Sequence, residues 1–290
     1  MILRKFTIVI LLSVLVLSFF SFSYPASAAD DISLGIAPLK AFFSLEPGNT
    51  SSGNVTLSNL SDYKLKIKPR VVAFETIDEW GTLSLAEGDF SDYIKLPVSI
   101  FDLEPREDRQ ITYNVSVPTG ALGGKFLAIM FATESPETSG PKISGQIGAL
   151  VFIEALGSLN KQIFLQSFEV NKISWGAAGF KLSVKNEGNT YVAPFGEIKI
   201  LDWRGREKEI VPVSFSQVLP DKERILNLSS EKNLFGRYKA QLNLVDDDWT
   251  LRREERIFWV SSPLGVILIL AGAVIVLGVI LMMKKGRKHE

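Results

Sequence analysis

The sequence predicts an all-β protein of two tandem β-sandwich domains, closed by one C-terminal transmembrane α-helix. Three observations predict it. Apolar and polar residues alternate along short segments through the middle of the 290-residue chain, and none there keeps a 3.6-residue apolar period over three turns. Turn signals recur between those segments: Pro47-Gly48-Asn49, Trp80-Gly81, Pro118-Thr119-Gly120, Asn186-Glu187-Gly188-Asn189 and Arg204-Gly205. Leu264 to Met283 is a run of 20 residues without a charge, a helix of about 30 Å and so the thickness of a bilayer core.

Taken in order, residues 1–28 read as a secretory signal peptide. Arg4 and Lys5 precede the apolar stretch Phe6 to Phe22, and Ala26-Ser27-Ala28 places cleavage before Ala29. Residues 29–157 form the first sandwich. Val55 and Leu57, Leu65 and Ile67, and Ile111, Tyr113, Val115 and Val117 are each flanked by polar neighbours, giving strands with one apolar face and one wet face. Glu134 to Gly145, rich in Ser, Gly, Pro and Glu, reads as a long mobile loop, and Gly148 to Leu156 as a last, well-buried strand. Ser158 to Lys161 is a linker. Residues 158–261 form the second sandwich, where Phe180, Leu182 and Val184, and then Tyr238, Ala240, Leu242 and Leu244, repeat the alternation. Arg252 to Arg256 reads as a charged edge strand.

Residues 262–283 are the expected membrane helix, with Trp259 and Phe258 where an interfacial aromatic belt would lie. Residues 284–290 are a basic tail whose Lys284, Lys285, Arg287 and Lys288 put the C-terminus in the cytoplasm. The expected location is thus the cell membrane, single-pass, with the two domains outside.

Between the two hydrophobic ends the chain holds 26 basic and 31 acidic residues, a formal charge of −5. That balance gives no reason to expect a nucleic-acid partner. Cysteine is absent, which points to a prokaryotic exporter and leaves both domains to core packing alone. With no Cys, and with His289 the sole histidine, thiol, His-based triad and zinc chemistry lack their groups outside the tail. No cofactor is expected, and no catalytic residue is assigned. Asp246, Asp247 and Asp248 are a candidate calcium site, because hard cations want several carboxylate oxygens; adjacent in sequence, they equally suit a solvated hairpin end. Trp203, beside Arg204-Gly205 at a hairpin tip, is a candidate sugar-stacking residue, although scattered tryptophans more often serve packing. Five N-x-S/T sequons begin at Asn49, Asn54, Asn59, Asn114 and Asn227, acceptors in a glycosylating host and equally a by-product of strand alternation.

Several phrases carry a family resemblance. They are Ile36-Ala37-Pro38, Leu45-Glu46-Pro47-Gly48-Asn49, Gly53 to Asn59, Leu103-Glu104-Pro105 and Ile111 to Pro118, with Gly124 ahead of Phe126 to Phe131. Together they resemble the first Ig-like domain of PapD-like and WxL-interacting-type surface proteins. Val184 to Asn189, Gly196 to Ile200 and Gly236-Arg237-Tyr238 resemble a second Ig-like module. The whole plan, from signal peptide to Lys-rich tail, is similar to that of the WxL-interacting proteins. That resemblance implies peptidoglycan binding by the first domain and surface partners for the second. Pilus chaperones of the same superfamily anchor a client's C-terminal carboxylate on two basic residues and lack a membrane helix. No such pair is assigned in this sequence, and the C-terminal apolar run departs from their plan.

The function expected is therefore that of a non-enzymatic, membrane-anchored envelope protein binding a cell-wall polymer or other surface proteins. The alternative is a structural subunit or stalk of a membrane or pilus-like assembly. A carbohydrate-active enzyme would require two acids facing across a cleft.

Overall fold

The computed structural model describes residues 32–134, 144–171, 173–232, 234–245, 252–261 and 263–286. The expected leader, the aspartates Asp246, Asp247 and Asp248, and the end of the basic tail lie outside the described residues.

The first domain packs two sheets face to face. One has the order β1 (Leu34–Ala37), β3 (Thr50–Asn59), β8 (Asp108–Ser116), β6 (Ile94–Lys95). The other runs β2 (Lys40–Leu45), β10 (Ser144–Ala155), β9 (Gly123–Glu134), β4 (Leu65–Thr76), β5 (Leu83–Ala86), with β7 (Phe101–Leu103) also on β4. The inward residues of the alternating strands form the core: Val55 and Leu57, Leu65 and Ile67, Ile111, Tyr113 and Val115, Leu127, Ile129 and Phe131, with Val151 and Ile153. Gly53 is required on β3, because a Cβ there would stand 2.5 Å from the buried Tyr113 ring. The two strands around the expected 134–145 loop are longer than the loop reading allowed: β9 includes Glu134, and β10 begins at Ser144.

The second domain repeats the plan. A three-stranded sheet, β11 (Ile163–Val170), β13 (Gly179–Asn186), β16 (Glu223–Ser229), faces a five-stranded one. The latter is ordered β12 (Ile173–Trp175), β18 (Arg252–Ser261), β17 (Gly236–Val245), β14 (Phe195–Asp202), β15 (Glu207–Ser214). Its core holds Phe168, Phe180, Leu182, Val184, Ile198, Ile200, Leu242 and Phe258.

One device appears in both domains. Asn59 ends β3 fully buried, and its amide donates to the carbonyls of Tyr63, Leu103 and Glu104 while its Oδ1 accepts from the Ser61 N–H. Asn186 ends β13 likewise buried, donating to Thr190 O and Val218 O and accepting from the Gly188 N–H. Each asparagine closes the corner after its strand by donating to the backbone carbonyls gathered around it. Asn59 is thus a structural residue in the folded protein, not a glycan acceptor.

The chain ends in α1 (Pro263–Gly286). Its described side chains are Ile267 and those of residues 270–280. Among the described residues no helix is long and apolar enough to cross a membrane. This corrects the transmembrane helix expected over 262–283, and with it the single-pass placement and the cytoplasmic C-terminus that rested on that helix.

A candidate interaction edge on the first domain

The outer face of the first domain's larger sheet is divided in two, and β4 shows the division within one strand. Its outward residues run Lys66, Lys68, Arg70, Val72, Phe74. The two lysines are exposed, whereas Val72 and Phe74 are buried. The apolar half lies under the second domain. Val72, Phe74, Ala128, Met130 and Phe152 cluster there with Leu219, and Tyr191 packs against them. The Phe152 ring lies 5.0 Å from Phe42, 5.1 Å from Tyr191 and 5.4 Å from Phe74.

Polar contacts frame this seam. The buried Glu154 carboxylate accepts from Ser44 Oγ at 2.8 Å and Thr190 Oγ1 at 2.9 Å, and pairs with Lys161 at 3.3 Å. The Gly124 N–H donates to Asn189 O. On the far side, the β4–β5 turn docks on β16: Ile225 N–H donates to Glu79 O, and Arg224 Nη1 to Trp80 O at 2.8 Å. The half-buried Lys222 pairs with Glu75. Where the domains meet, an aromatic cluster is thus flanked by the Glu154 carboxylate on one side and by Lys222 and Arg224 on the other.

The other half of the face is open, and so is the edge beside it. β2 pairs with β10 in parallel only from Leu150 to Ala155. Ser144 to Ala149 therefore pair with β9 on one side only; on the other, β1 lies close to β10 without pairing to it, and Ile32 lies against Gly145. The direction of the free groups follows from the paired half. Leu150 and Leu156 donate their N–H groups toward β2, to Leu39 O and Leu45 O. Backbone groups alternate sides along a strand, so the N–H and C=O of Gln146 and Gly148 point out of the free edge.

Exposed edges are normally blunted by charge, proline, bulges or shortness. The other edges here follow that rule. β1, β5, β6 and β12 have four residues or fewer. β15 carries Glu207, Lys208 and Pro212, β16 has Glu223 and Arg224, β11 has a register shift and Glu169, and β2 opens on Lys40. The free half of β10 reads Ser-Gly-Gln-Ile-Gly-Ala and has none of these devices. The apolar run from Gly148 does predict a strand; that the first half of β10 has no paired neighbour there depends on where β2 begins, at Lys40, more than 100 residues earlier.

Trp203 lies elsewhere, at the tip of the β14–β15 hairpin. It is 71% exposed, with the Arg204 guanidinium 4.4 Å from its ring centre. Asp202 builds that turn. Its Oδ1 accepts from the N–H groups of Arg204 and Arg206, and its Oδ2 pairs with Arg206 Nε at 2.9 Å and Lys208 at 3.3 Å. Burial works to raise the Asp202 pKa, but these hydrogen bonds outweigh it and hold the carboxyl far below the usual carboxylate range. A shallow hollow of about 200 Å³ adjoins Trp203, lined by Arg237, Lys239 and Ile257. Among the described residues, no cluster of three or more His, Cys, Asp or Glu could hold a metal ion.

No family model and no curated protein matches the chain. Solved structures do. The chain is similar to the YadV chaperone, at 11% identity over 78% of this chain and 99% of that one, with a TM-score of 0.41. It is similar to the class 5 fimbriae chaperone CfaA, at 15% identity over 78% and 99%, with a TM-score of 0.43. A third match is the CsuC–CsuE chaperone–tip adhesion subunit pre-assembly complex of Acinetobacter baumannii, at 12% identity over 79% and 99%, with a TM-score of 0.41. At these identities the likeness is one of fold.

The resemblance to a membrane-anchored WxL-interacting protein is corrected by the helix: among the described residues none is long and apolar enough to cross a membrane. The expected function of an anchored binder of cell-wall polymer, and the membrane as a partner, are corrected with it: no described helix supplies the anchor on which both depended.

Proposed function

We propose that this protein binds other protein subunits, without catalysis, by taking up an extended segment of its partner as an added strand along Ser144 to Ala149. The unblunted edge of β10 carries the reading, because a partner strand there gains main-chain hydrogen bonds from Gln146 and Gly148. The second domain supports it from the seam, where the Phe152 cluster holds the paired half of β10 rigid. The partner class is a protein subunit of a larger assembly; the chaperone–tip adhesion subunit complex of similar fold holds such a partner.

The test uses end-blocked nine-residue peptides of alternating valine and serine or glutamine, labelled for fluorescence anisotropy, with the full-length protein. The substitution Gln146→Pro removes an outward N–H while the ladder to β9, formed by the alternate residues, keeps its bonds. Saturable binding that falls at least tenfold in Q146P is expected. Equal binding by both proteins would place the peptide elsewhere and overturn the reading.

A further inference from the structure

We infer that the outer face of the first domain's smaller sheet is an N-glycosylation site, with Asn54 on β3 and Asn114 on β8 as its acceptors. On β3 the outward residues from Thr50 to Ser58 run Thr, Ser, Asn, Thr, Ser, alternating with the core residues Val55 and Leu57. On β8 those from Asp108 to Ser116 run Asp, Gln, Thr, Asn, Ser, alternating with Ile111, Tyr113 and Val115. Asp108 is the one charge that these two strands turn outward. Protein surfaces ordinarily carry about a quarter or more charged residues, and the larger sheet keeps Lys66, Lys68 and Arg70 on the part of its outer face that the second domain leaves open. The smaller sheet lacks that device. A sugar chain, bulky and solubilising, takes its place.

The fold sorts the sequons. Asn59 is spent in its buried corner. Asn49 is exposed, but Ser51, the hydroxyl of its motif, falls on the core-facing side of β3 opposite Val115. At Asn54 and Asn114 both halves of the motif lie on the wet face, with Thr56 and Ser116 supplying the hydroxyls. Thr112 Oγ1 donates to Asn54 Oδ1 at 2.7 Å, which leaves the Asn54 Nδ2, the atom that takes sugar, unbonded among the described residues. The Asn114 side chain makes no hydrogen bond among them. In the ladder Asn54 faces Thr112 and Ser52 faces Asn114, so the two asparagines are diagonal neighbours about 7–8 Å apart. The donor is a lipid-pyrophosphate-linked oligosaccharide, delivered by a membrane-bound oligosaccharyltransferase. Nδ2 attacks the anomeric carbon and the C–N bond forms. The C–O bond to phosphate breaks, the lipid pyrophosphate leaves with the electron pair, and Nδ2 gives up one proton. The Oδ1 survives as an acceptor, so the bond from Thr112 is kept.

The test is cell-free translation of the full-length protein with sealed endoplasmic-reticulum microsomes. Chains shielded from added protease are run on gels before and after an endoglycosidase, which counts their glycans. N54Q and N114Q are each expected to carry one glycan fewer than wild type, and N54Q/N114Q two fewer. Because differences are read, sugar at Asn49 or Asn227 does not disturb the comparison. A double variant that keeps the wild-type number, a wild type without glycans, or no shielded chain at all would overturn the inference. A loss confined to one single variant would overturn the other asparagine's part. After detergent release, glycosylated wild type should resist limited trypsin as well as the double variant does. Loss of that resistance would mean that the sugar does not sit on a native face, and would overturn the inference equally.

Discussion

Replacing Phe152 by alanine should uncouple the two domains without dissolving either. Phe152 is 2% exposed, yet it belongs to neither sandwich core; it sits between them with Leu219 and Tyr191 of the second domain. Truncating a buried phenylalanine costs about 3–5 kcal/mol. Four ring neighbours, at 5.0 Å (Phe42), 5.1 Å (Tyr191), 5.4 Å (Phe74) and 6.0 Å (Phe126), place this site in the upper part of that range. Phe42, Phe74 and Phe126 belong to the first domain and Tyr191 and Leu219 to the second, so the loss is shared between the outer face of the first sandwich and the seam. Urea and calorimetric unfolding of wild type should give one cooperative transition, since the seam ties the domains. F152A should give two, with the less stable domain melting first. Phe168→Ala, in the second core, should instead lower stability by a similar amount through a hole inside one domain. A single F152A transition displaced by less than about 1 kcal/mol would refute the assignment of Phe152 as the coupling residue.

Asn59→Ala and Asn186→Ala should each cost about 2–3 kcal/mol, because each removes at least two amide hydrogen bonds to carbonyls at a buried corner; denaturant titration reads this, and a loss below about 0.5 kcal/mol in either would contradict the corner role. Asp202 predicts a pH dependence. Its folded pKa lies below its unfolded value, so its contribution is fully present above the ordinary carboxylate range and is lost as pH falls below about 4. The acid limb of wild-type stability should therefore be steeper than that of Asp202→Asn between roughly pH 4 and pH 2, and superimposable limbs would rule the turn out as its source.

Much of the architecture was legible because alternation is a local signal. Val55 and Leu57, Ile111 to Val117, and Phe180 to Val184 all point inward as their spacing requires. The seam was partly legible too. Phe126 to Phe131 and Gly148 to Leu156 are apolar on both faces, which in a sheet means that both faces are covered. What covers the second face could not be read, because Tyr191 and Leu219 come from a domain whose docking is fixed by few contacts in three dimensions. The Asn brackets escaped for another reason. Asn59-Leu60-Ser61 and Asn186-Glu187-Gly188 share only the asparagine, and both look like ordinary turns. The unpaired edge of β10 escaped because an edge is defined by a missing partner, and no residue of Ser144 to Ala149 encodes where β2 begins. Trp203 and the three aspartates drew notice through residue type alone, a weak guide when composition is scattered evenly over a surface.

A strand held on one side at one end and on both sides at the other has a mechanical consequence. Tension drawn through a partner seated on Ser144 to Ala149 would run along the axis of β10, into the half paired with both β2 and β9. Such a pull loads the cross-strand bonds in shear, all together, and cannot peel them open one at a time. The partner's own hydrogen bonds lie across the same axis and share the load. The joint would therefore resist steady drag while still releasing to a competing strand that displaces the partner residue by residue from one end.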